Sequence, residues 1–222
     1  MDRNLYFELH RRFNEERQYL LPRFRIVFDE LSLMAVLQQQ TCLSVSELAK
    51  AQLVGSPTES RRVCRLEEAG FVALFHPPCD RRLTHCCLTP FGQTSLMAFM
   101  REFHRGFPRG SSFERACPEP ASLVPVVASM GRVPMPADNL ILFCYVMRSC
   151  EAMTVSDIVE LTGLQEGTVS MALRRMEQDG TMQVVSSSRS ALSRPHCRLA
   201  QRHITHYGQR CGHELLRLVA EL

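Results

Sequence analysis

The residues best suited to chemistry in this 222-residue chain are arginines on two kinds of support. Arg61, Arg62 and Arg65 lie on a stretch with inward-facing Val63 and Leu66, opened by Ser56, Thr58 and Ser60. Asp80-Arg81-Arg82 follows near a turn between two short apolar runs. A guanidinium is a planar fork of donors that fits phosphate oxygens or the edge of guanine. Hydroxyls at the start of a helix suit phosphates, as do its first N–H groups. An arginine on a stiff hairpin loses little entropy on entering a narrow minor groove, where negative potential is concentrated. The pattern points to contact with duplex DNA rather than to bond-making. No Gly-rich phosphate loop, HExxH or nucleophile elbow is present, and the histidines lack a carboxylate or serine context, so no enzyme is expected.

Positioning these residues takes a specific run of elements. Val45–Ala51 reads as a short helix, followed by a turn at Gly55 and a second helix opened by Ser56-Pro57, a cap and a first-turn proline. That helix stops at Ala69-Gly70, with Gly70 as its C-cap. Phe71–Phe75 and Leu83–Leu88 read as strands around the turn Pro77-Pro78-Cys79-Asp80. Thr89-Pro90 opens a further helix, whose apolar side carries Leu96, Met97, Phe99, Met100 and Phe103. A helix-turn-helix followed by a two-stranded hairpin is a winged helix, and its second helix is the one that enters a major groove. Upstream, residues 3–21 read as a helix ended by Pro22, with Leu5, Leu9 and Phe13 at four-residue spacing. Leu31–Gln39 reads as a buried helix with Ser32 as cap.

At these residues the chain resembles the multiple-antibiotic-resistance regulator (MarR) family of bacterial transcription factors. Val45-Ser46-Glu47-Leu48-Ala49 looks like the first helix of that family's helix-turn-helix. Arg65-Leu66-Glu67-Glu68-Ala69-Gly70-Phe71-Val72 looks like the end of its recognition helix, and Asp80-Arg81-Arg82 with Leu88-Thr89-Pro90-Phe91-Gly92 like its wing and next helix. The resemblance covers about residues 30–105 well. It implies DNA binding with recognition helices in the major groove and, at the wing, Asp80 bracing a nearby arginine while Arg81 or Arg82 enters the minor groove. It also implies a two-fold dimer built partly through the first helix, and a small-molecule effector or a redox-sensing cysteine. Cys64 and Cys117 are the redox candidates.

The pattern recurs at an offset of 110 residues. Val45-Ser46-Glu47-Leu48 aligns with Val155-Ser156-Asp157-Ile158, Thr58 and Ser60 with Thr168 and Ser170, and Arg65, Glu67 and Gly70 with Arg175, Glu177 and Gly180. Thr205-His206-Tyr207-Gly208 repeats Thr89-Pro90-Phe91-Gly92 after a longer wing. The expected fold class is mainly α with small β-hairpin wings, as two winged helix-turn-helix domains in one chain. The expected boundaries are 1–107, a Pro/Gly-rich connector at 108–137 with one short helix around Ser122–Ser129, and a divergent second domain at 138–222. The second recognition helix would offer Thr168, Ser170, Arg174 and Arg175. Its wing lacks a counterpart of Asp80-Arg81-Arg82 but carries Arg189 and Arg194, and from Arg189 to Arg217 six arginines face one acid. The copies differ at two positions taken as base-facing, Glu59 against Val169 and Arg61 against Met171. One chain would then act as a pseudo-dimer on an imperfect palindrome, or two chains would form a homodimer.

Composition bounds the rest. Net charge is +3, and Lys50 is the only lysine among 26 basic residues, a bias that coding composition also explains. The charged N-terminal stretch lacks a signal-peptide core, no apolar run spans a bilayer, and ten cysteines without a secretory signal suggest reduced thiols in a cytoplasm. Cys79, His85, Cys86 and Cys87 fall where alternate residues point to opposite faces, so no metal or other cofactor is expected. The expected function is a sequence-specific, double-stranded DNA-binding transcriptional regulator acting as a repressor. The alternative is a tandem winged-helix protein-interaction module, similar to bacterial segregation-and-condensation proteins.

Overall fold

A computed structural model describes residues 3–24, 26–76, 84–107, 110, 112–133, 135–185 and 201–221. The chain is mainly helical with small antiparallel sheets, and it divides into two compact units, Glu16–Pro134 and Met1–Glu15 with Met135–Leu222. These divisions fall elsewhere than the sequence boundaries at 107 and 137. The first helix, α1 (Arg3–Phe24), contributes residues up to Glu15 to the second unit. Helix α1 also runs through Pro22, where a stop was expected. A proline removes one N–H and need not terminate a helix that closes two residues later.

The first unit continues with α2 (Phe28–Gln40), β1 (Cys42–Ser44), α3 (Val45–Ala51), α4 (Ser56–Glu68), β2 (Val72–Phe75), β3 (His85–Leu88) and α5 (Pro90–Arg105). Helix α2 is buried along Glu30–Leu37. It starts three residues before the sequence reading, and Ser32 is not its cap. The Glu30 carboxylate instead accepts the Val27 N–H at 2.9 Å, while the Ser32 hydroxyl lies inside, 3.2 Å from Gln52 Oε1. Helix α3 has a reciprocal capping box, in which Ser44 accepts from the Glu47 N–H and Glu47 from the Ser44 N–H at 2.8 Å. Strand β3 is central in the order β1-β3-β2, with Val72 opposite Leu88 and Ser44 opposite His85.

The Pro-rich stretch contains the short helix expected near Ser122–Ser129, and more. It holds α6 (Ser112–Ala116), a 3-10 turn (Pro120–Ser122) and α7 (Leu123–Met130). Helix α7 packs along α2 and buries Leu123, Val124, Val127 and Met130. Apolar residues at helical spacing draw this segment into the first unit's core despite its prolines.

The second unit comprises α8 (Ala137–Met147), α9 (Val155–Thr162), α10 (Glu166–Gln178), β4 (Met182–Val185), β5 (Gln201–Ile204) and α11 (His206–Ala220). Its core gathers Leu140, Ile141, Tyr145, Ile158, Leu173, Met176 and Ile204. The N-terminal part of α1 packs here: Phe7 stacks on Phe143 at 5.8 Å, and Asn14 Nδ2 donates to the Thr162 carbonyl at 3.1 Å. His10 is buried beside Tyr6, and burial pushes its pKa down to about 3. The unfolded chain therefore binds this proton preferentially below about pH 6.5. Stability is expected to fall as pH drops from about 6.5 towards 3. Urea midpoints across that range should show the fall, and His10→Leu should flatten it.

Local details recur between the units. Thr89 accepts the Gly92 N–H at 2.9 Å and donates to the Gly70 carbonyl at 2.7 Å. Thr205 accepts the Gly208 N–H at 3.2 Å and donates to the Gly180 carbonyl at 2.7 Å. Thr154 and Asp157 form a capping box on α9, as Ser44 and Glu47 do on α3. In place of β1, Met153 makes a single bridge to Arg202, with backbone bonds of 3.0 and 2.8 Å.

Candidate nucleic-acid interface

Helix α4 follows α3 through a tight turn and presents one charged face to solvent. Val63 and Leu66 anchor it, and Glu59 is also buried. Ser56, Thr58, Ser60 and Arg61 are exposed. Gly55, rather than Ser56, occupies the cap position, so the Ser56 hydroxyl stands on the first turn. Pro57 brings no N–H, and the Thr58 N–H is bonded to the Gly55 carbonyl at 2.9 Å. Anion contact at this terminus therefore falls mainly to hydroxyls and side-chain cations.

The three arginines differ in their surroundings. Arg62 pairs with Asp29 at 2.5 Å and with Glu59 at 3.2 Å. Arg65 pairs with Glu30 at 2.7 Å. Both brace α4 against the acidic first turn of α2. Of the acids nearby in sequence, Glu59 thus pairs with Arg62, while the other partners come from α2. Among the described residues no ion pair engages Arg61, which leaves it as the available fork on this helix.

Glu59 and Val169, read from sequence as base-facing, are both fully buried. Each sits on the helix stripe that faces its own core, so neither can reach a base. Burial pushes the Glu59 carboxyl above the usual carboxylate range, with Arg62 opposing in part. A raised folded-state pKa favours the protonated fold, so this group costs stability as pH rises from about 4.5 through its folded value. Glu59→Gln is expected to remove that component, seen as a flatter stability profile between acidic and neutral pH.

Helix α10 is set on the second core by Val169, Ala172, Leu173 and Met176. Thr168 and Ser170 are half-buried, while Arg174, Arg175 and Met171 are exposed, Met171 at 63%. Arg175 is tied to Asp138 at 2.7 Å. A Cβ at Gly167 would meet nothing within 4 Å, so packing within the chain does not demand glycine there. Sequence reasoning missed Arg202. It is buried on β5, and its Nε donates to Glu177 Oε1 at 2.6 Å, binding the hairpin to the end of α10. One arginine of the basic 189–217 segment is therefore structural. The faint signal was its place in a strand, four residues before the next helix.

Asp80, Arg81, Arg82, Arg189 and Arg194 lie outside the described residues. Of the redox candidates, Cys64 is exposed on α4. Cys117 is fully buried, and burial pushes its thiol up, which disfavours the reactive thiolate. Among the described residues no group of three or more His, Cys, Asp or Glu could hold a metal ion. A recess of about 520 Å³ in the second unit is lined by Leu142, Tyr207, Arg210, Cys211 and Leu215, with Asn139 and Glu214 at its polar side. Among the described residues no helix is long and apolar enough to cross a membrane.

The helix, hairpin and helix spanning the first interface decide the comparison with known proteins. Residues 29–84 match the model of the MarR family. Solved structures give partial matches. Reduced AbfR bound to DNA is 20% identical, covering 46% of this chain and 69% of that one, with a TM-score of 0.41. Wild-type MarR in its apo form from E. coli is 19% identical, covering 47% and 80%, with a TM-score of 0.40. Bordetella bronchiseptica BpsR, from a study of regulation of DNA binding by 6-hydroxynicotinic acid, is 22% identical, covering 54% and 88%, with a TM-score of 0.38. No curated protein matches the chain.

Proposed function

We propose that this protein is a sequence-specific, double-stranded DNA-binding transcription regulator that acts as a repressor, with α4 as its principal major-groove helix. The observation that carries this is the division of α4 within the segment that matches the MarR family model. Val63 and Leu66 fix the helix, Arg62 and Arg65 brace it, and Ser56, Thr58, Ser60 and Arg61 stand free on its outer face. The Asp80-Arg81-Arg82 segment supplies its minor-groove contact. The second unit is a divergent second winged helix with α10 as recognition helix. In support, the threonine cap, the glycine that follows it, and the capping box all recur there. One chain then supplies both recognition helices as a pseudo-dimer. A lipophilic effector fits the recess beside Tyr207 and Leu215.

Fluorescence anisotropy of the reduced protein on labelled fragments of its own upstream region, at two salt concentrations, tests this. Affinity tighter than about 10⁻⁷ M that weakens steeply with salt is expected. Saturation at one chain per site supports the pseudo-dimer, and two chains per site refute it. Binding no tighter than about 10⁻⁵ M on any fragment sinks the regulator reading.

One observation favours a second reading for the second unit. Among the described residues, its hairpin and recognition helix expose Val184, Val185 and Met171 alongside Arg174 and Arg175. A protein-interaction role would use that apolar face. Affinity purification with the second-unit face altered by Met171→Glu and Val184→Glu separates the readings, since loss of a protein partner with DNA affinity retained favours interaction.

A further inference from the structure

Cys42 on β1 and Cys87 on β3 are direct cross-strand partners in the first unit. The Val45 N–H donates to the Thr84 carbonyl at 3.2 Å, which makes 45 and 84 a hydrogen-bonded position. Alternation along an antiparallel ladder then makes 44/85 non-bonded, 43/86 bonded and 42/87 non-bonded. At a non-bonded position the Cα atoms stand about 4.5 Å apart and the side chains approach most closely. That spacing lies within the roughly 4.4–6.8 Å that a disulfide spans. Cys42 is exposed and Cys87 is partly exposed. Cys86 is buried on the opposite face of the same strand and cannot compete.

We infer that Cys42 and Cys87 are a dithiol modification site that closes reversibly to an intramolecular disulfide when a hydroperoxide supplies the oxidising equivalents. One thiolate attacks the peroxide oxygen and forms a sulfenic acid, releasing water or an alcohol. The second thiol attacks that sulfur, and water leaves. In balance, two S–H bonds and the O–O bond break, and one S–S bond and two O–H bonds form. The two sulfurs lose two electrons and the peroxide gains them. The cross-link ties the strand that leads into the Ser44 cap of α3 to the return strand of the hairpin, and so fixes the base of the wing. Burial and the neighbouring Cys87 hold the Cys42 thiol above its ordinary range, so closure accelerates at alkaline pH.

The test uses the full chain, reduced anaerobically and then treated with hydrogen peroxide, with free thiols alkylated and peptides mapped by mass spectrometry. The expected result is loss of two of the ten thiols, a mass lower by two hydrogens, and one cross-linked peptide joining Cys42 and Cys87 that dithiothreitol releases. Cys42→Ser and Cys87→Ser, each checked by circular dichroism, are expected to fold and to lose that peptide. Alkylatable Cys42 and Cys87 after treatment, or a cross-link mapping to another pair, overturns the inference. So does a folded Cys42→Ser variant that still forms an intramolecular link at Cys87.

Discussion

Arg61→Ala is expected to weaken specific DNA binding by about 10- to 100-fold, the range for losing one bidentate side chain at a base edge. Circular dichroism and the thermal midpoint should stay unchanged, because Arg61 is exposed and no ion pair among the described residues engages it. Arg62 and Arg65 make the contrast. Each is bonded to a carboxylate on or beneath α4, at Asp29, Glu59 or Glu30. Arg65→Ala leaves the buried Glu30 carboxylate without its cation, so stability should fall before affinity can be read. The salt dependence assigns the Arg61 contact. A slope smaller by about one, with sequence preference intact, marks a phosphate contact. An unchanged slope with relaxed preference at one base pair marks a base contact. Unchanged affinity in a folded Arg61→Ala protein would remove α4 as the reading helix.

The same contrast shows what sequence made legible. Capping residues and first-turn prolines marked the starts of α4 and α5 to within a residue or two, because these signals act locally. Apolar spacing identified Val63 and Leu66 as the inward stripe. The same spacing puts Glu59 on that stripe, four residues before Val63, but its charge argued for solvent. The structure buries it because Arg62 folds back over the carboxylate. The partners of Arg62 and Arg65 on α2 were out of reach of local reasoning, since Asp29 and Glu30 lie some 33 to 35 positions away in sequence. The packing of α7 on α2 was hidden for a related reason. Prolines at 118, 120 and 125 signal a linker locally, while Leu123, Val124 and Val127 show their worth only once α2 is there to cover them. The chemistry at Cys42 depends on strand register, which pairs residues 45 positions apart and leaves no trace in spacing.

Gly92→Ala is expected to be the most damaging single-methyl change in the first unit, and Gly208→Ala its counterpart in the second. A Cβ at Gly92 would lie 1.9 Å from the Phe71 carbonyl oxygen, and one at Gly208 would lie 2.3 Å from that of Thr181. Each obstacle is backbone, so no rotamer change relieves it. The carbonyl cannot move freely either. The Phe71 carbonyl accepts the Thr89 N–H at 3.0 Å, and the Thr181 carbonyl accepts the Thr205 N–H at 3.0 Å. Relief requires drawing α5 or α11 away from the hairpin, which breaks the threonine cap as well as the close packing. Overpacking costs about 1–3 kcal/mol, and a lost cap adds roughly 1 kcal/mol. The expected drop in midpoint is roughly 10 °C for the unit concerned. Calorimetry of the two variants reads this directly. If the two units unfold separately, Gly92→Ala lowers one transition and Gly208→Ala the other. If they unfold together, both variants lower a single transition by similar amounts. A change of less than about 1 kcal/mol in both would mean that the hairpin-to-helix junction yields easily, and the shared junction would then lose its value as support for two related winged helices.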